Sequence, residues 1–235
     1  PQVISVDSSK RNQSSKKYIF PEKCLCGAIT QKEINESTKK EDAVRRCLKG
    51  YDCDYIAREK LKHIVSKEAF NIDGLGKKVI DQFWDLKLIR KPSDIFKIDY
   101  KKIENLEGWG KLSISNLKEA IEKSKIIELD RFIFSIGIRH IGQENAKILA
   151  SFFKSIGKFS ALFHEADRKK ILKHLIDIDG IGQIQIDSIN SFFSNNKNIE
   201  IVETLVDKLK IKDFKTHNKK GKFSNKTIMF TGGFE

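Results

Sequence analysis

Four times between residues 72 and 182, an apolar residue leads into a glycine turn and an apolar helical stripe follows in fixed register. The turns read Ile72-Asp73-Gly74-Leu75-Gly76, Leu106-Glu107-Gly108-Trp109-Gly110, Ile138-Arg139-His140-Ile141-Gly142 and Ile178-Asp179-Gly180-Ile181-Gly182. Counting four, seven and ten residues past the second glycine of each turn reaches Ile80, Phe83 and Leu86; Ile114, Leu117 and Ala120; Ala146, Leu149 and Phe152; and Ile186, Ile189 and Phe192. Apolar residues spaced by three and four predict one face of an α-helix, so each unit reads as a tight hairpin opening a helix. Glycine occurs only 14 times in 235 residues, yet it fills seven of the eight key turn positions. Such a chain is mostly α, built from tandem hairpin-and-helix repeats.

Glycine tolerates positive φ and lets another backbone come close. Here it precedes helices whose first amides lack intrahelical partners and carry the positive end of the dipole, a setting for an anion. Bent runs of amides also form anion-binding nests. Repeated in register, such sites fit the phosphates of DNA. They single out Gly74, Gly76, Gly108, Gly110, Gly142, Gly180 and Gly182, with Lys77, Lys78, Lys111 and Arg139 as the nearest cations. His140 replaces the first glycine of the third turn, leaving open whether that hairpin meets phosphate or only packs. Trp109 stands where the other turns have Leu75, Ile141 and Ile181, and reads as a plug into the core. Hairpins at such spacing are expected to pack in pairs, lining one face of a helical domain, so that two can clamp the two strands of a duplex without reading sequence.

The net charge of +13 is uneven: residues 51–206 hold 26 Lys and Arg against 23 Asp and Glu, and most of the excess lies toward the two ends. Bulk charge therefore does not make the hairpin region a nucleic-acid binder; the glycine turns do. The basic ends can add phosphate attraction or serve as solvated linkers. No run of 18 apolar residues occurs, so no membrane span is expected. No signal peptide is expected either. Residues 1–7 alternate weakly and predict one strand, 8–17 a linker, and 215–222 a second polar linker. The run Thr227 to Phe230 before Thr231-Gly232-Gly233 turns β-like and opens a further domain.

All four cysteines fall within one short segment, as Cys24-Leu25-Cys26 and then Cys47 and Cys53. Clustered thiols without secretory features favour a metal over disulfides. A four-thiolate zinc site suits a segment too short for its own core; the competing reading is free cysteines. Against zinc, the first pair is tighter than the usual Cys-x₂-Cys knuckle.

The order of these parts resembles the C-terminal half of bacterial NAD-dependent DNA ligases. The likeness is carried by Ile4-Ser5-Val6-Asp7-Ser8-Ser9-Lys10-Arg11, Phe20-Pro21, Arg46-Cys47 through Cys53, His63 through Gly76, Leu106-Glu107-Gly108, Gly137 through Gly142, and Phe230-Thr231-Gly232. The resemblance implies the end of an oligonucleotide-binding (OB) domain and linker in 1–20, and a zinc finger in 21–56 with Cys24, Cys26, Cys47 and Cys53 as ligands. It further implies a four-repeat helix-hairpin-helix domain in 57–214 and, after the linker, the start of a BRCT domain in 223–235. It implies an enzyme that seals nicks in duplex DNA, using NAD⁺ and Mg²⁺ bound elsewhere, in the bacterial cytoplasm, as a monomer. The family's nucleophilic lysine stands in Lys-x-Asp-Gly, which is absent here: Asp73-Gly74 and Asp179-Gly180 follow Asn71 and Asp177. This segment alone is expected to transfer no AMP, lacking the nucleophile that covalent catalysis needs. Two other readings of the hairpins are a non-catalytic, structure-specific DNA-binding or scaffold protein and a partner-binding module.

Overall fold

The computed structural model describes residues 4–34, 41–104 and 106–215. The linker beyond Lys215 and the β-like run at 227–230 lie outside them. Contacts divide the chain after Ala57.

In the first unit, residues 4–7 form no strand. Ile4 and Val6, which suggested one by alternation, are 95% and 65% exposed and have no strand to pair with among the described residues. Asp7 instead accepts from the Ser9 amide at 3.1 Å and caps a short 3₁₀ turn, Ser8–Lys10. Two strands, β1 (Thr30–Ile34) and β2 (Glu41–Cys47), pair antiparallel with Thr30 opposite Cys47 and Lys32 opposite Arg45. Arg45 fastens the hairpin through Nε to Thr30 Oγ1 at 2.9 Å and Nη2 to Thr30 O at 2.8 Å. A two-stranded hairpin is marginal in water by itself, so this unit needs a further cross-link.

The second unit is helical, and the division falls inside α1 (Asp54–Ile64). The four post-hairpin helices are α2 (Lys77–Asp85), α3 (Lys111–Ser124), α5 (Gln143–Phe153) and α8 (Gln183–Phe193). Between and after them run α4 (Leu129–Ser135), α6 (Ile156–Phe159), α7 (Glu165–Leu175) and α9 (Asn196–Val206). The predicted stripe holds at its first two positions in every repeat: Ile80, Phe83, Ile114, Leu117, Ala146, Leu149, Ile186 and Ile189 are all buried. At the third position it holds for Phe192, which is buried, and is weaker at half-buried Ala120, but it fails at Leu86 and Phe152, which are 43% and 38% exposed. At about 100° per residue, ten residues past the glycine has rotated off the stripe and eleven has rotated back onto it. Ile121, Phe153 and Phe193 accordingly fill the core there.

Lys91-Pro92-Ser93 breaks the helical run as a 3₁₀ turn, Pro92–Lys97, in which Asp94 accepts from the Arg90 and Lys91 amides at 2.9 Å each. A parallel pair, β3 (Ile126–Glu128) with β4 (Lys210–Lys212), ties the end of the unit to its middle. Phe153, Phe159 and Phe193 stack edge to face at 5.2 and 5.7 Å in the core, geometry that aromatic quadrupoles favour. Beside them Arg168 is 5% exposed. Its Nη1 donates to Leu162 O at 3.0 Å and Phe193 O at 2.9 Å, placing a cation against the negative C-terminus of α8.

Candidate nucleic-acid interface

All four turns have one geometry. The amides of Leu75, Trp109, Ile141 and Ile181 donate to the carbonyls of Ile72, Leu106, Ile138 and Ile178 at 3.1, 3.0, 3.2 and 3.0 Å. The residue before each of these donors has positive φ: 82° at Gly74, 83° at Gly108, 58° at His140 and 86° at Gly180. Positive φ at the third residue alone is the type II pattern. His140 therefore makes the same bend as the glycines, being one of the few non-glycine residues that tolerate it. Its ring is spent inside the protein: Nδ1 meets Ser188 Oγ at 3.0 Å, and Nε2 accepts from Arg139 Nε at 3.2 Å.

The second glycines do something different. Gly76, Gly110, Gly142 and Gly182 are N-caps with extended backbones, φ −73°, −115°, −82° and −103°. Any residue adopts that conformation. A Cβ built at Gly76, Gly110 or Gly142 would meet nothing within 4 Å, and at Gly182 only Gln185 Oε1 at 3.2 Å. At Gly76, Gly110 and Gly142 neither strain nor packing among the described residues calls for glycine, and at Gly182 the Gln185 side chain would have to shift slightly. Elsewhere the chain caps helices with side chains: Ser155 opens α6, and Asn195 opens α9 by accepting from the Lys197 and Asn198 amides. A Ser or Asn cap would occupy the first-turn amides; glycine leaves them bare. The amides of Lys77, Lys78, Lys111, Leu112, Gln143, Glu144, Gln183 and Ile184 accordingly have no acceptor among the described residues.

Two of the expected bare amides are in fact taken. Gly110 N–H donates to Ser113 Oγ at 2.9 Å and Gly182 N–H to Gln185 Oε1 at 3.1 Å. Those at Gly74, Gly76, Gly108, Gly142 and Gly180 have no acceptor among the described residues. Gly74, Gly76, Gly108, Gly110, Gly142, Gly180 and Gly182 are all exposed, as are Lys77, Lys78 and Lys111, while Arg139 is half-buried.

The hairpins pack reciprocally in two pairs. In the first, Trp109 lies 5.3 Å from Phe83 of α2, with its Nε1 donating to Gln82 at 3.0 Å, while Gly74 faces Leu117 of α3. In the second, His140 meets Ser188 of α8, and Asn145 of α5 donates to Gly180 O at 3.3 Å. Each hairpin thus rests on the second turn of its partner's helix, the fourth through Gly180 against Ile148, with Asn145 in the first turn of α5 adding a hydrogen bond. Between the hairpins of the first pair lies an open cleft of about 540 Å³ lined in part by Asp73, Gly74, Glu107 and Gly108. Trp109 is half-buried, a looser plug than Leu75, Ile141 and Ile181, which are 0%, 5% and 4% exposed.

In the first unit the four cysteines converge. All four Sγ atoms lie within 4.8 Å of one another, with Cys24–Cys53 and Cys26–Cys47 at 3.7 Å each. Four thiolates around zinc, at a bond length of about 2.3 Å, form a tetrahedron with edges of about 3.8 Å. The tight first pair is accommodated by Gly27 at φ +82°, whose N–H donates to Cys24 O at 2.8 Å. The Ala28 amide brings Cys26 down to about 7, whereas burial pushes Cys53 up to about 12. Full ionisation of the set calls for a cation among the sulfurs, and this donor set is compatible with zinc.

A family model described as "Helix-hairpin-helix motif" matches residues 131–202, which contain the second pair of hairpins. Among curated proteins, a DNA ligase of Pelagibacter ubique is 54% identical over 234 residues, covering 99% of this chain and 34% of its own length. DNA ligases of Azorhizobium caulinodans and Parvibaculum lavamentivorans are 36% and 38% identical across all of this chain, which spans 36% and 34% of them. From end to end, the chain is homologous to bacterial DNA ligases. It spans about a third of the length of these relatives.

For this ligase-related chain, sequence reasoning located the turns but missed what fastens them. Ser113 and Gln185, three residues past the second glycine, lock two of the caps, and Gln82 and Ser188, six past it, receive the partner hairpin. The readable signal was a small or amide residue recurring at those two offsets. Among the described residues, no helix is long and apolar enough to cross a membrane.

Proposed function

We propose that this chain is the duplex-gripping part of the C-terminal half of an NAD-dependent bacterial DNA ligase, a cytoplasmic and monomeric enzyme that joins nicked DNA in replication and repair. The carrying observation is the four glycine-capped helices whose first amides have no acceptor among the described residues, presented from two reciprocal hairpin pairs. Each such helix end can take one phosphate oxygen through charge-assisted N–H donors. A pair, holding one phosphate on each strand, positions the duplex without reading bases. Gly74, Gly76, Gly108, Gly142 and Gly180 supply open backbone. Gly110 and Gly182 act through the amides that follow them, and Lys77, Lys78, Lys111 and Arg139 add charge.

The cysteine cluster takes one Zn²⁺ on Cys24, Cys26, Cys47 and Cys53, which supplies the cross-link that the two-stranded unit needs. In this reading 1–20 ends an OB domain, 21–56 is the zinc finger, 57–214 is the hairpin domain and 223–235 opens a BRCT domain. NAD⁺ and Mg²⁺ belong to the rest of the enzyme, and AMP transfer lies outside this segment, which has no Lys-x-Asp-Gly.

The test is a titration of labelled nicked duplex at several salt concentrations. Sequence-independent binding with a modest negative salt slope is expected. No binding at low salt would sink the proposal.

A further inference from the structure

Leu112 is the most exposed large apolar side chain among the described residues of the second unit, at 75%, and Ile184 is 45% exposed. Both occupy one register position, two residues past the second glycine, in the hairpin that closes each pair. The opening hairpins put Lys78 and Glu144 there. A single exposed aliphatic residue is ordinary on a protein surface. Two at the same place in both pairs, each beside an amide with no acceptor, mark a contact.

We infer that Leu112 and Ile184 are minor-groove contacts that cover the apolar faces of the deoxyriboses next to the gripped phosphates. The inference rests on the proposed phosphate grip. A side chain in the first turn of a helix emerges beside the amides that take the phosphate, within one sugar of it. Lys77, Lys78 and Lys111 on the first pair complement phosphate charge; an aliphatic side chain cannot, and its natural partner there is the sugar. Proteins that enter the minor groove commonly present apolar residues to it. The second pair has Gln143, Glu144, Gln183 and Ile184 in its first helical turns, so its hold on DNA draws more on aliphatic contact and less on charge.

The test uses Leu112→Gln and Ile184→Gln, which keep side-chain length and helix propensity at exposed sites and so leave the melting temperature unchanged. Each is expected to weaken nicked-duplex binding roughly fivefold, the share of a partly covered aliphatic side chain. The salt slope is expected to stay the same, because no cation is lost. Lys111→Gln, by contrast, flattens the slope by about 0.9. Affinities of both variants within twofold of the parent overturn the inference and leave the phosphate grip standing. Failure of the parent to bind DNA at all removes both.

Discussion

Replacing a second glycine by serine separates holding the fold from holding DNA. Gly76 has φ −73° and ψ 177°, which serine adopts freely, and a Cβ there meets nothing within 4 Å. A serine hydroxyl would cap α2 as Ser155 caps α6, stabilising the fold by a few tenths of a kcal/mol relative to glycine. The same hydroxyl occupies an amide assigned to phosphate and puts a side chain where the backbone approaches. A hydrogen bond to a charged group contributes about 1.5–3 kcal/mol, so binding of nicked duplex is expected to fall about tenfold or more. Gly180→Ala is the contrasting change. It forces a left-handed φ of 86° onto alanine and brings Cβ to 2.6 Å from Ile148 Cδ1. The cost is about 1–2 kcal/mol of stability, or roughly 2–8 °C in melting temperature. Thermal melting and fluorescence anisotropy on the same samples read both quantities. The reasoning is refuted if Gly76→Ser binds as tightly as the parent, or if it loses affinity only in step with lost stability.

Arg168→Leu leaves the carbonyls of Leu162 and Phe193 without their donor and should cost about 3 kcal/mol, seen as a fall of roughly 6–12 °C in melting temperature. Converting Lys77, Lys78 and Lys111 together to Gln should flatten the salt slope by up to about 2.7 while leaving melting unchanged, since all three are exposed. Elemental analysis should find about one zinc per chain, and a strong chelator should unravel the β1–β2 unit while the helical signal persists. Acidification should release that metal, because its thiolate ligands must take up protons; a metal-free protein with the β1–β2 pairing intact would exclude the site.

The helical repeats were legible because a glycine turn and a 3.6-residue stripe are local patterns. The third stripe position was misjudged at Leu86 and Phe152, where counting by threes drifts off the helix face. The strand expected at 1–7 rested on alternation alone, and among the described residues Ile4 and Val6 have no strand to pair with. The β1–β2 hairpin left little trace, because Thr30-Gln31-Lys32-Glu33-Ile34 is too polar to alternate cleanly. The cysteines were visible as a set, but only the turn at Gly27 explains how a pair one residue apart reaches a common centre. For the hairpins, sequence named the glycines without separating their roles. Gly74, Gly108 and Gly180 are needed for positive φ, a task His140 also performs, whereas no strain or contact among the described residues requires Gly76, Gly110 or Gly142. The pairing itself depends on contacts such as Trp109 with Gln82 and His140 with Ser188, which join residues 27 and 48 apart; the recurring small or amide residue marks the receiving position but not which hairpin it receives.

Amide chemical shifts followed during titration with nicked duplex probe the grip most directly. The largest changes are expected at the backbone N–H groups of the first turns of α2, α3, α5 and α8 and at Gly74, Gly108 and Gly180. Shifts confined to the basic residues of 4–23 and to lysine side chains, with those amides unmoved, would contradict the account.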